Sequence, residues 1–199
     1  MDFRSALYDL IAREARPVDK FGHQPRLYAL TQQVGEGEHY DDDVVYAAAW
    51  LHDLGVFIGH RPEDPEALAR WDHVRYTVER APLLLERAGF PVRKVPAVLD
   101  AIRTHQPKDR PSSVEGVILR DADILEQLGA IGIMRALAKV GRDSRYPTFT
   151  AAVAVLQRNL ENLPGELRLA RARMLAEPKV RILKAFLEEV RRESAPELF

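Results

Sequence analysis

The chain has 199 residues, with 29 Lys and Arg against 30 Asp and Glu and a formal charge of −1, so no domain-wide basic field or extended nucleic-acid surface is expected. With 46% apolar and 30% charged residues, 11 Gly and 13 Pro, the composition is that of a globular chain able to bury a core. The absence of cysteine removes disulfides, zinc-thiolate sites, iron-sulfur clusters and thiol nucleophiles, and leaves any metal to histidine and carboxylate ligands.

Apolar residues recur at three- and four-residue spacing, as in Phe3, Leu7, Leu10 and Ile11, and sustained alternation is absent, so the expected fold class is all-α. The first two helices are placed at about 2–15 and about 23–35. Asp41-Asp42-Asp43 sets negative charge at the start of a third, whose apolar residues Val44, Ala47, Ala48 and Leu51 lead to His52-Asp53, with Gly55 as the stop signal. Further helices are expected over about 71–89 with a break at Pro82 left open, then about 92–105, 113–127, 130–140, 148–162, 165–176 and 179–193. The Pro-containing, charged stretches Gly59 to Pro65 and Gln106 to Ser112 read as loops. Trp50, Trp71 and the run Leu83-Leu84-Leu85 read as core, and the basic residues from Arg168 to Lys184, interleaved with glutamates, as a solvated face.

No linker, low-complexity segment or internal repeat divides the chain, so a single domain over 1–199 is the expectation. The longest stretch without Asp, Glu, Lys or Arg runs from Tyr146 to Gln157, far short of a bilayer span. Asp2, Arg4 and Asp9 leave no hydrophobic signal core, and a soluble, cytoplasmic protein is expected. The sequence is compatible with a homo-oligomer.

Six histidines carry the chemical information: His23, His39, His52, His60, His73 and His105. His23 should open a helix, His52-Asp53 close another, His73 lie early in a third, and His105 end a fourth beside Pro107. Imidazoles at helix ends can be aimed at a common point, and imidazole plus carboxylate suits Mn, Fe, Co, Ni or Zn better than Mg. Neighbours on a helix diverge by about 100°, so His52 and Asp53 can share an ion only at the helix end, which Gly55 allows. His39 and His60 sit in charged loop contexts and read as structural or surface residues rather than ligands. Asp121 and Asp123, two apart in an apolar helix, must differ in role, and Asp121 reads as a capping or supporting partner rather than a ligand.

The ordered set His23-Gln24-Pro25-Arg26, Ala47-Ala48-Ala49-Trp50-Leu51-His52-Asp53 and Ala122-Asp123-Ile124-Leu125 resembles the H…HD…D pattern of the HD-domain superfamily, whose members are all-helical, metal-dependent phosphohydrolases. The match covers about residues 20–130. The segment Asp121 to Ile133 is also similar to a subgroup of small bacterial HD hydrolases with a helical C-terminal extension, here about 146–193. The resemblance implies His23, His52, Asp53 and Asp123 as ligands of a first metal, and His73 and His105 as histidines of a second, with Asp53 bridging. Two departures stand out. Val56 occupies the position of a lysine found in some members, and His105-Gln106 replaces the His-His of the cyclic-dinucleotide branch, so neither a third metal nor cyclic-di-GMP specificity is expected.

On this reading one or two divalent transition-metal ions activate water to hydrolyse a phosphomonoester or phosphodiester of a small, nucleotide-like substrate. Arg26, three residues after His23, shares its helical face and can hold phosphate or the reacting centre, while Lys108 and Arg110 follow His105 in a loop and can contact substrate at the entrance. Asp53, Glu126 and a metal-bound water are unranked candidates for the acid. Two rivals are retained. One is a di-iron oxygenase of the HD type; the other is a metal-stabilised module that senses a nucleotide without turning it over.

Overall fold

A computed structural model describes residues 2–17 and 20–194. Among these residues there are ten α-helices and no strand, as the apolar spacing requires. They fall into two compact units, one ending at Arg120 and the other beginning at Asp121. None of the helices is long and apolar enough to cross a membrane.

The first unit is organised around α3 (Asp42–Leu51), in which every residue from Val44 to Leu51 is buried. A helix apolar on all sides must be surrounded. Here α1 (Phe3–Glu14), α2 (His23–Val34), α5 (His73–Arg87) and α6 (Val95–Arg103) pack against it. A short α4 (Pro65–Ala69) precedes α5, and α7 (Val114–Glu126) follows α6. The second unit contains α8 (Gly129–Leu137), α9 (Phe149–Glu166) and α10 (Ala170–Glu193), each packed on the other two.

The acidic start of α3 is where α1 and α6 are tied down. Arg4 on α1 donates to Asp42 Oδ2 at 2.7 Å, Asp43 Oδ1 at 2.8 Å and the Tyr28 hydroxyl at 2.9 Å. Lys94, just before α6, donates to Asp41 Oδ1 at 2.9 Å and Asp43 Oδ2 at 2.8 Å. Asp41 also caps the helix, accepting from Asp43 N. The three aspartates thus favour the positive end of the helix dipole, and the two cations relieve their mutual repulsion.

Several elements differ from the sequence reading. α4 was not expected, because it buries no residue; Asp64 creates it by accepting from Ala67 N at 2.8 Å ahead of Pro65. α5 runs through Pro82, α9 continues through Pro164, and the expected pair of C-terminal helices is the single α10, which passes through Pro178. In α10 the buried residues Ala172, Ala176, Leu183 and Leu187 hold one helical phase across the proline, while Pro178 itself is exposed. Packing of that stripe outweighs one lost backbone bond, whose carbonyl partner at Met174 lies on an exposed residue. Leu83 is 48% exposed, so of the expected leucine run only Leu85 is fully buried.

Asp121 is fully buried, and its Oδ2 accepts from the backbone N–H groups of Arg168 at 2.9 Å and Leu169 at 2.8 Å, directly before α10. It therefore supports a helix entry within the second unit.

Two stability outcomes follow from these contacts. Asp121→Ala removes both charge-assisted bonds and is expected to cost about 2–3 kcal/mol in urea denaturation. Arg4→Met is expected to cost about 1–2 kcal/mol at pH 7, a value reduced by partial solvent screening. Hydrogen bonds from Arg4 and Lys94 hold Asp43 below the usual carboxylate range. A depressed carboxylate stabilises fully above its unfolded pKa of about 4 and loses that contribution as pH falls through its folded value. The wild-type advantage over Arg4→Met should therefore narrow between pH 7 and pH 3, and an unchanged gap would show that Asp43 is not the partner that matters.

Candidate metal centre

The centre is built where α3 stops. α3 ends at Leu51, and His52 is its C-cap. The last carbonyls of a helix lack intrahelical partners, and the ring of His52 supplies one: its Nδ1 donates to Ala49 O at 3.0 Å. His105, two residues beyond α6, repeats the arrangement with Nδ1 to Ile102 O at 2.6 Å. A carbonyl only accepts, so Nδ1 carries a proton in both rings, and in the neutral ring the lone pair is on Nε2. Both rings are buried, at 0% and 3% exposure. His23 is the first residue of α2 and His73 the first of α5, so four helix ends deliver four imidazoles.

Asp53 lies between them. Its Oδ2 is 3.6 Å from His52 Nε2 and 3.8 Å from His23 Nε2, while its Oδ1 faces His73 Nε2 at 4.0 Å. The Nε2 atoms of His23 and His52 are 3.3 Å apart. Two nitrogens bound to one ion at about 2.1 Å stand about 3.0–3.4 Å apart for ligand angles between octahedral and tetrahedral, so this pair has the spacing of two ligands of one ion. His105 lies beyond His52, with ring centroids 5.0 Å apart, and 6.1 Å from His73. Two groups result, His23-His52-Asp53 and Asp53-His73-His105, each with ligand atoms close enough to hold an ion, and Asp53 belongs to both.

The electrostatics agree with that geometry. Burial pushes the Asp53 carboxyl up, but attraction to His52, His23, His105 and His73 outweighs it and holds the group well below the usual carboxylate range. That attraction is exerted by the rings when protonated; once they release the Nε2 protons, the carboxylate and the Nε2 lone pairs form a donor set for a cation, which takes over the positive charge. Nitrogen and oxygen donors without thiolate fit the divalent transition metals.

Other residues singled out in the sequence are placed as follows. Arg26 is exposed on α2, and Lys108 is exposed in the turn after His105. Asp123 lies in the second unit, where Gln127 Nε2 is 3.4 Å from its Oδ2. Glu126, also in the second unit, accepts from Arg135 at 3.1 Å. His39 is exposed, while His60 is bonded on both sides, Nε2 to Glu14 Oε2 at 3.1 Å and Nδ1 to the Tyr76 hydroxyl at 3.0 Å. Sequence reasoning missed Thr77. It is fully buried one turn after His73 and accepts from Gly55 N at 3.1 Å, and no motif or periodicity marks that contact.

Residues 21–128 match the HD domain family model, which is more than half of the chain. The Bacillus subtilis protein YpgQ is 27% identical over 179 residues, covering 86% of this chain and 82% of the relative. The crystal structure of YpgQ shares the fold, with a TM-score of 0.74 at 24% identity over 96% of this chain and 95% of that one. YpgQ in complex with ADP gives a TM-score of 0.72 at 22% identity, over 96% and 97% of the two chains. A predicted HD superfamily hydrolase from an uncultured Thermotogales bacterium gives 0.66 at 24% identity, over 96% and 93%. With its helices, its clustered His and Asp side chains and the family match in agreement, this chain belongs to the HD-domain family.

Proposed function

We propose that this protein is a metal-dependent phosphohydrolase that cleaves a phosphomonoester or phosphodiester of a small, nucleotide-like molecule. One observation carries the reading: Asp53 turns one oxygen to His23 and His52 and the other to His73, the disposition of a carboxylate shared by two ions. Fold likeness to a predicted HD superfamily hydrolase and the ADP complex of YpgQ support hydrolysis and a nucleotide-like ligand respectively.

Divalent ions held there would neutralise phosphoryl charge and bring the pKa of water toward neutrality. The chain supplies the rest. The carbonyls of Ala49 and Ile102 fix the tautomers of His52 and His105, so neither ring must reorganise to present Nε2. Asp53 would contribute the negative charge that retains the cations. Arg26, on the helix opened by His23, offers a guanidinium for the substrate phosphate, and Lys108 a second cation.

Elemental analysis of protein purified without chelators is expected to find one or two Mn, Fe, Co, Ni or Zn ions per chain. Asp53→Ala should lose them, with phosphate release falling to background and the fold intact by circular dichroism. An Asp53→Ala protein that remains metal-replete and active would sink the assignment. Oxygen uptake with iron and no phosphate release from any phosphoester would replace hydrolysis with oxygenation, and tight nucleotide binding without turnover under every metal would make the protein a sensor. Arg26→Ala should raise KM for phosphorylated substrates about tenfold, equivalent to about 1.4 kcal/mol of lost phosphate binding; unchanged kinetics remove Arg26 from the site.

A further inference from the structure

The backbone just after Asp53 is fastened to the start of α5 at three points. Thr77 Oγ1 accepts from Gly55 N at 3.1 Å and donates to His73 O at 2.8 Å, using both the donor and an acceptor of a fully buried hydroxyl. Trp71 Nε1 donates to Gly55 O at 2.8 Å. Gly55 also sits directly on His73: a Cβ there would stand 2.6 Å from His73 O and 2.9 Å from its Cα, so only glycine fits. The backbone N–H and C=O of Gly55 and its missing side chain are thus committed to Thr77, Trp71 and His73 respectively.

Helix α5 contributes His73, its first residue, to the second histidine group. The fastening joins the segment that carries Asp53 to the residue facing its Oδ1, and its three hydrogen bonds are made among Gly55, Trp71, His73 and Thr77. We infer that Gly55, Trp71 and Thr77 are positioning residues that set the register between Asp53 and His73, and so assemble the second half of the centre independently of the first. The inference rests on the two-ion reading above and adds the physical basis on which the second ion is held. It assigns Gly55 a steric role at His73 rather than that of a helix stop.

The prediction concerns metal affinity, resolved by stoichiometry. Metal-stripped wild type, Thr77→Val, Thr77→Ser and Trp71→Phe are titrated with Mn2+ by isothermal calorimetry, with melting temperature recorded for each apoprotein. Thr77→Val, which keeps shape and loses the hydroxyl, should weaken the second ion about 10- to 100-fold while the first stays within about twofold. Thr77→Ser should restore wild-type binding. Trp71→Phe, at a partly exposed position, should weaken the second ion in the same sense and serves if Thr77→Val does not fold. Wild-type affinity for both ions in folded Thr77→Val and Trp71→Phe overturns the positioning role alone. Equal weakening of both ions also overturns it, because the fastening then supports the whole unit. A wild type that takes up only one ion overturns the two-ion reading, and the positioning role with it.

Discussion

A carboxylate drawn in among four imidazoles is the constraint on which the rest of this structure turns. Asp53 keeps 21% side-chain exposure, enough for a ligand to reach it but too little for water alone to solvate the charge. Protonated, the surrounding histidines favour its ionisation; deprotonated, they present Nε2 lone pairs, and the natural compensation for the charge is then a cation. Everything that holds the rings therefore serves the charge at the centre.

The architecture answers that constraint with helix ends. From Val44 to Leu51 α3 is buried, so beyond its acidic start its chemistry is confined to the residues immediately past Leu51. Three of the helices that cover it, α2, α5 and α6, start or stop at the same place, each with a histidine at or just beyond its terminus. Orphan carbonyls in the last turns of α3 and α6 lock two of those rings, so a generic property of helix termini becomes a means of fixing tautomers. The opposite end of α3 is held by Arg4 and Lys94, which tie α1 and the approach to α6 to its three aspartates. One helix is thus anchored by charge at its start and carries chemistry at its stop.

Proline and glycine show where local reading and packing part. Pro82, Pro164 and Pro178 are helix breakers by residue type, yet all three lie within helices. The deciding term in α10 is the in-phase burial of Ala172, Ala176, Leu183 and Leu187 against α8 and α9, a sum over many contacts that no window around Pro178 contains. Gly55 was legible as a stop, but the reason for glycine is the space taken by the His73 backbone, a residue eighteen positions away in sequence.

By itself, the amino-acid sequence determined the all-helical class, the approximate helix starts and stops, and the placing of His23, His52, His73 and His105 at or near helix termini, because periodicity and capping are local and repeat every turn. The distinct parts of Asp121 and Asp123 could also be anticipated from their two-residue spacing on one helix. Tertiary structure alone decided that Asp53 divides its oxygens between two histidine groups, that Asp121 spends its charge on the Arg168 and Leu169 amides, that His60 is held by Glu14 and Tyr76, and that Thr77 and Trp71 grip Gly55. Each of these is a contact between side chains or backbone groups brought together from different elements. Directional interactions that become short only after helices pack leave no periodic trace in the chain.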